Sequence, residues 1–228
     1  VSYTDKPDAE TFMREWTSLI ESKSGERGIF NRVAAKKQAA KNGRRNAEHE
    51  FGTNPCSEII LRPYQFCNLT EVVIRATDSL KDLKRKVRLA TILGTAQSTL
   101  VHFPYLRKVW KNNTEEERLL GVSLTGIMDN QLTNGNQEFL SHEGKLSTIL
   151  PELKQEAINT NKEYAKKWNI PQSTAISCVK PSGTVSQLCD SASGIHARHS
   201  EYYIRTVRGD NKDPLTQFMI DSGVPAEP

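Results

Sequence analysis

The residues closest together with the most chemistry to offer are Asn54, Cys56 and Glu58, in the run Asn54-Pro55-Cys56-Ser57-Glu58, with Cys67 eleven positions after Cys56. They set an amide, a thiol and a carboxylate within five residues, so all three can converge on one small molecule if the backbone turns there. Pro55 favours that turn, because its ring fixes its own φ and pushes Asn54 out of the helical region. In such a turn Glu58 is a candidate base, Asn54 a hydrogen-bond partner and Cys56 the reactive centre. A polar loop with a buried cysteine fits the same spacing, and composition does not separate the two.

A second candidate lies at Lys180-Pro181-Ser182-Gly183-Thr184-Val185-Ser186. It follows Thr174 to Val179, a run that reads as a strand. A strand, then a small-residue turn with glycine at a close-approach position and hydroxyls on either side, can aim main-chain N–H groups at phosphate oxygens. An ordinary strand-to-helix turn has the same composition. The motif lacks the GxxxxGK[ST] spacing of a nucleotide-triphosphatase loop.

The four cysteines, at 56, 67, 178 and 189, include no close CxxC pair. Zinc held by two distant C-x10-C pairs is the weaker reading, and no metal ligand is assigned. Cys56 and Cys67 read as working thiols, Cys178 and Cys189 as packing residues. A length of 228 residues, 36% hydrophobic and 25% charged, suits a globular protein with one sizeable core. No apolar run approaches the roughly 18 residues of a membrane span, and the N-terminus lacks a signal-peptide layout, so a cytoplasmic protein without membrane contact is expected. The net charge of +4 is concentrated between Lys36 and Arg45, a run without interleaved aromatics, which disfavours nucleic acid as a partner.

Several elements must position these groups. Ala9, Phe12, Met13, Trp16, Leu19 and Ile20 form a helical stripe, with Trp16 expected in the core. Residues 34–45 could form a helix on propensity, but they carry little apolar periodicity and are broken by Asn42-Gly43, which predicts a mobile or insertion-tolerant region. Ile59-Ile60-Leu61 should anchor the Cys56 loop. Residues 68–75 read as a strand. A helix with Ser79 and Asp82 at capping-box spacing follows, burying Leu80, Leu83, Val87, Ala90 and Leu93. Thr114 and the three glutamates after it read as a helix start, continuing through Leu119, Val122 and Met128, with Gly121 and Gly126 allowing close packing. A further helix is expected from Pro151, with Leu153, Ala157, Asn161, Tyr164, Ala165 and Trp168 repeating at helical spacing. His102 is taken as structural. Residues 201–207 read as a strand and Pro214 to Asp221 as a short helix. Alternating strands and helices indicate α/β architecture with parallel strands.

Asn-Pro-Cys-x-Glu followed by Phe66-Cys67-Asn68-Leu69-Thr70-Glu71-Val72 resembles the finger loop of ribonucleotide reductases, above all the adenosylcobalamin-dependent (class II) triphosphate reductases. Similarity extends to Pro181-Ser182-Gly183-Thr184-Val185-Ser186, to residues 24–32, to Thr114 through Asp129, and to Ser193-Gly194-Ile195-His196 running on to Arg205. The resemblance implies that residues 1–228 are part of a ten-stranded α/β barrel, an interior piece of a longer catalytic subunit, with the finger loop at about 52–64 threading its centre.

The resemblance further implies that Cys56 becomes a thiyl radical that takes the 3'-hydrogen of a ribonucleotide. Glu58 accepts the 3'-hydroxyl proton, and Asn54 hydrogen-bonds the ribose hydroxyls. Cys67 matches one member of the reducing cysteine pair, whose partner lies N-terminal to this segment in the family. Pro181, Ser182, Gly183, Thr184 and Ser186 would hold substrate phosphate. Implied partners are adenosylcobalamin, a ribonucleoside tri- or diphosphate, a thioredoxin-like reductant and the remaining segments of the subunit. Two alternatives stand beside this reading: a class I catalytic subunit fed by a metal-radical partner, and a non-catalytic phosphate-binding fragment that assembles with complementary pieces.

Overall fold

The computed structural model describes residues 7–23, 28–135 and 146–227. Their contacts divide the chain into two units, Val1–Ala197 and Arg198–Pro228. In the first unit, helix α1 (Ala9–Ser22) starts where the Asp8 carboxylate accepts the Thr11 N–H. The expected stripe is present, but it is not core. Phe12 and Trp16 stack on each other, their rings 6.2 Å apart, and both remain exposed. Periodicity specifies an apolar face; it does not say what covers it.

Residues 32–40 form an ordered helix, α2 (Arg32–Ala40), in place of the expected mobile region. Asn31 caps it, and Ala35 and Ala39 pack on Phe51. Alanines make a small buried face that a search for large apolar residues passes over. Strands β1 (Gly52–Thr53) and β2 (Ile60–Leu61) then pair antiparallel, closing a hairpin over the Cys56 segment. Strand β3 (Asn68–Val73) follows as expected.

Helix α3 (Leu80–Gln97) carries the full capping box of Ser79 and Asp82. Leu83, Val87 and Ala90 are buried, whereas Leu93 is exposed and Thr91, Gly94 and Thr95, on either side of it, take the buried positions. The two threonine hydroxyls donate to carbonyls one turn back, Thr91 to Val87 and Thr95 to Thr91, so they enter the core without a lost hydrogen bond.

The largest correction concerns residues 114–128. Thr114 to Glu117 end a helix, α4 (Lys108–Glu117), and do not begin one. Arg118 turns left-handed at φ 43 and returns its N–H to Thr114. Leu120 onward is strand β4 (Leu120–Thr125), parallel to β3 from Asn68 opposite Leu120 to Val73 opposite Thr125. A parallel pair needs a long crossover, which α3 and α4 supply. Pairing and burial on both faces outweigh the local capping signal.

Helix α5 (Leu146–Lys167) includes Pro151 within it and buries Leu153, Ala157, Asn161 and Ala165. Asn161 donates to Thr95 and Ser173 and accepts the Ser173 N–H, tying α5 to α3 and to the segment that follows. That segment, expected as a strand, lies along β4 on the side away from β3. Leu120 and Val122 donate to Ala175 and Ile176, and Cys178 donates to Val122, with one parallel bridge at Val122 and Ser177. The core joins Val72, Leu120, Val122 and Ile176 to Leu83, Val87, Leu153 and Ala157. Helix α6 (Val185–Leu188) is a single turn.

In the second unit, helix α7 (Pro214–Asp221) forms as expected, capped by Asp213. Residues 201–207 are not in a strand, and Tyr202 and Ile204 are exposed. An alternating pattern becomes a strand only beside a chain to pair with. No helix among the described residues is long and apolar enough to cross a membrane.

Candidate functional site

Successive strand residues point to opposite faces. Because Val72, Leu120 and Val122 face the helices, Leu69, Glu71, Gly121 and Ser123 face the other way. Gly121 makes room on that second face: a Cβ there would lie 2.3 Å from Leu69 Cδ2, 3.0 Å from Ile59 Cδ1 and 3.1 Å from Cys178 Sγ. The hairpin can therefore lie against the sheet, with Ile59 buried as its anchor.

Asn54 and Pro55 turn the chain as expected. The Ser57 N–H donates to the Asn54 carbonyl at 2.9 Å, Ser57 sits at φ 62, and the Ile59 N–H donates to Asn54 Oδ1 at 3.0 Å. Asn54 thus shapes the loop through its own side chain. Cys56 is exposed at the tip. The base of the hairpin is held by Arg45, whose Nη1 donates to the Ile60 carbonyl at 2.8 Å while its guanidinium pairs with both oxygens of Glu117.

Glu58, two residues on, is enclosed where Cys56 is open. Its side chain is fully buried, and Oε1 accepts from Lys180 Nζ at 2.9 Å. Its second oxygen, Oε2, is buried with no hydrogen-bond partner. Burial pushes this carboxyl up, but the Lys180 ammonium, its own main-chain N–H and the Asn54 amide outweigh that and hold it below the ordinary value. The Glu58 hydrogen bond in turn raises Lys180, and Cys56 and Glu71 add to the effect. Glu58 also lines a cleft with Arg44, Lys154, Gln38 and Ser177. Arg44 Nε is buried there without a partner, and burial pulls the guanidinium down from its usual value.

Cys67 lies within the field of the same pair. Burial raises its thiol, Glu58 raises it further, and Lys180 opposes both. Cys178, expected as a packing residue, is pushed up to about 12 by burial, then by Glu58 and Cys67. Its segment and β3 flank β4, two strand spacings or roughly 10 Å apart, beyond the reach of a disulfide. All four cysteines are free.

Within the 181–186 turn, Gly183 adopts φ 63, and nothing lies within 4 Å of where its Cβ would stand. Ser182 and Ser186 are buried: the first is 3.4 Å from the Ser193 hydroxyl, the second donates to the Gly183 carbonyl. Of the three hydroxyls expected to meet phosphate, only Thr184 is on an exposed residue. Residues 24–27 of the Ser24 to Arg32 similarity lie outside the described residues. Among the described residues no group of three His, Cys, Asp or Glu is placed to hold a metal ion.

Lys180 was missed by sequence reasoning, although a signal existed. It follows Cys178 by two, so strand alternation puts it on the Cys178 face, directly before the turn. Arg45 and Glu117 carried no such signal, since 72 positions separate them.

No family model matches the chain. Over 78% of its length it is 29% identical to the adenosylcobalamin-dependent ribonucleoside-triphosphate reductase of Lactobacillus gasseri, of which it covers 26%. Over 92% of its length it is 29% identical to the enzyme of that name from Lacticaseibacillus paracasei, covering 31% of it. A probable adenosylcobalamin-dependent ribonucleoside-triphosphate reductase of Dictyostelium discoideum is 30% identical over 78% of the chain and is covered to 22%. The chain is a distant relative of the ribonucleotide reductase catalytic chains.

The fold agrees with that relationship. A B-12 dependent (class II) ribonucleotide reductase structure superposes on 64% of the chain with a TM-score of 0.52 at 24% identity, covering 22% of that structure. The class Id alpha subunit of Actinobacillus ureae covers 94% of the chain with a TM-score of 0.61 at 18% identity, over 44% of the subunit. The chain therefore spans between 22% and 31% of the length of the curated ribonucleotide reductase relatives named above.

Proposed function

We propose that the chain forms the finger-loop section of a reductase that converts ribonucleotides to 2'-deoxyribonucleotides. In this reading the sheet of β3, β4 and residues 174–178 is a section of the ten-stranded barrel, and the hairpin at about 52–64 is its finger loop. The observation that carries the reading is Glu58 Oε2: a buried carboxylate oxygen without a partner, on the loop that also presents an exposed thiol. A substrate hydroxyl is the donor that such an oxygen lacks.

The chemistry follows from these positions. As a thiyl radical, Cys56 takes the 3'-hydrogen of the ribose, so that an S–H bond forms and a C–H bond breaks. Glu58 takes the proton of the 3'-hydroxyl, the 2'-hydroxyl leaves as water with a proton from the cysteine pair, and after reduction at C2' the Cys56 thiol returns its hydrogen to C3' and is a radical again. Cys67 and a second thiol from the rest of the subunit are oxidised to a disulfide, which balances the two electrons gained by the ribose; a thioredoxin-like protein restores them. Asn54, which shapes the loop, also addresses the ribose hydroxyls. The 181–186 turn holds the substrate phosphates through its main-chain N–H groups and Thr184, so that binding energy distant from the reaction orients the ring. The proposed cofactor is adenosylcobalamin, as in the names of the relatives; when bound it supplies the unpaired electron that makes Cys56 a radical. The exposure of Cys56 at the hairpin tip leaves its sulfur open to such a group.

The test is reduction of a ribonucleoside triphosphate or diphosphate by the full subunit containing this segment, with adenosylcobalamin and a dithiol. Deoxynucleotide formed only with the cofactor supports the proposal. Activity that instead requires a metal-radical subunit would move the chain to class I, and no reduction under either condition would refute the enzymatic reading.

A further inference from the structure

Glu58 is the one group in the site whose state the loop cannot set alone. A carboxylate removed from water without a counter-ion is expensive and takes up a proton instead. A neutral Glu58 could not accept a hydroxyl proton. Among the described residues the only ion pair made by Glu58 is with Lys180, from a segment 122 positions away. Arg44 and Lys154 line the same cleft but make no ion pair with it. The other ionisable groups that face the pair, Cys56, Cys67, Cys178 and Glu71, bring no positive charge to it.

The lysine is itself held. Gly194 packs so closely on it that a Cβ there would stand 2.1 Å from the Lys180 carbonyl oxygen. The Ser193 hydroxyl meets that of Ser182, and the Ser193 carbonyl accepts from Gly126 at the end of β4. The main chain around Lys180 is thus clamped between β4 and residues 193–194, and the ammonium reaches Glu58 from a fixed base.

We propose that Lys180 is a positioning residue: its ammonium occupies Oε1 of Glu58, keeps the carboxylate an anion, and leaves Oε2 as the oxygen presented to substrate. The proposal rests on the reductase reading for its purpose, but not for its test. Lys180 also adjoins Pro181, so one short segment would carry both the phosphate turn and the cation that readies the base. Loop and turn could then be correctly placed only together.

The test is the titration of the Glu58 side-chain carboxyl by 13C NMR in this chain. In the wild type it titrates below the ordinary glutamate range, and the Lys180 Nζ resonance responds through the same transition. In K180Q the carboxyl titrates at least about one pH unit higher, a tenfold change in its proton affinity; K180R restores the low value. Glu58 titrating in the same place in wild type and K180Q overturns the proposal. Should K180Q not fold, the wild type still decides: an ordinary Glu58 titration without a response at Lys180 overturns it equally. In the full reductase, K180Q should move the acid limb of the kcat profile up by the shift that the NMR titration reads, with KM little changed. A full enzyme that reduces no nucleotide, with the NMR result as expected, would refute the reductase reading while leaving the hold of Lys180 on Glu58 established.

Discussion

Arg45→Met should be among the most damaging single substitutions in this chain, although the sequence reads the region as mobile or insertion-tolerant. The Arg45 and Glu117 side chains are 4% and 3% exposed and meet through two bonds of 2.9 and 2.7 Å. Arg45 also supports the Ile60 carbonyl and lies over the Phe51 ring at 4.7 Å. Removing the guanidinium strands a buried carboxylate, for which a loss of about 3 to 5 kcal/mol is expected. For a chain of this size that is a fall in Tm of roughly 6 to 20 °C, at about 2 to 4 °C per kcal/mol. Adding Glu117→Gln removes the stranded charge while keeping an acceptor for Gln65, so the double variant should recover about 2 kcal/mol of the loss. Thermal and urea unfolding of the wild type, both single variants and the double variant measure the coupling. A cost below about 1 kcal/mol for Arg45→Met, the range of an exposed pair, would refute the buried bridge and with it the account of how the hairpin is held.

Further predictions address the site. Cys56→Ser in the full reductase should abolish turnover without altering the fold, since a hydroxyl fits the loop but does not form the radical; retained turnover sinks the assignment. Cys67→Ser should still allow cleavage of the 3' C–H bond but replace reduction by substrate breakdown, and normal multiple turnover with the usual reductant would make Cys67 structural. Thr184→Val should weaken nucleotide binding by about tenfold to a hundredfold, the value of a lost charge-assisted hydrogen bond, and leave nucleoside binding unchanged; equal losses for both ligands would assign the turn to the fold alone. The Glu58–Lys180 pair also predicts a pH window. Glu58 is held low in the fold, so its contribution is present above the ordinary carboxylate range and lost as pH falls through its lowered value. Lys180 is held high, so its contribution is present below the ordinary lysine range and lost as pH rises through its raised value. Urea midpoints across pH should show a plateau between the two that the E58Q/K180M variant lacks.

The chemistry-bearing residues were legible where they are close in sequence. Asn54, Pro55 and Glu58 form their turn through contacts spanning at most five positions, so residue types alone imply the geometry. The capping box at Ser79 and Asp82, the helix from Pro214 and the strand at residues 68–73 were equally local. The same local reasoning failed at Thr114 to Thr125. A cap signal and good helix formers described a helix start, whereas the chain ends one there and enters the sheet. The preference of a few residues is worth tenths of a kcal/mol each, and pairing with β3 is worth more.

What the sequence determined by itself is therefore the inventory of the site and its local turns: a thiol, a carboxylate two residues on, a second thiol leading into a strand, and a small-residue turn. Only the tertiary structure decided that Glu58 is buried against Lys180, that Arg45 leaves the surface to hold Glu117, and that Ser182 and Ser186 turn inward. Partners separated by 122 and 72 positions leave no pattern in a single sequence. Whether a charged side chain stays in water or pays desolvation for a partner depends on which strand folds beside it, and that is settled by the packing of the whole sheet.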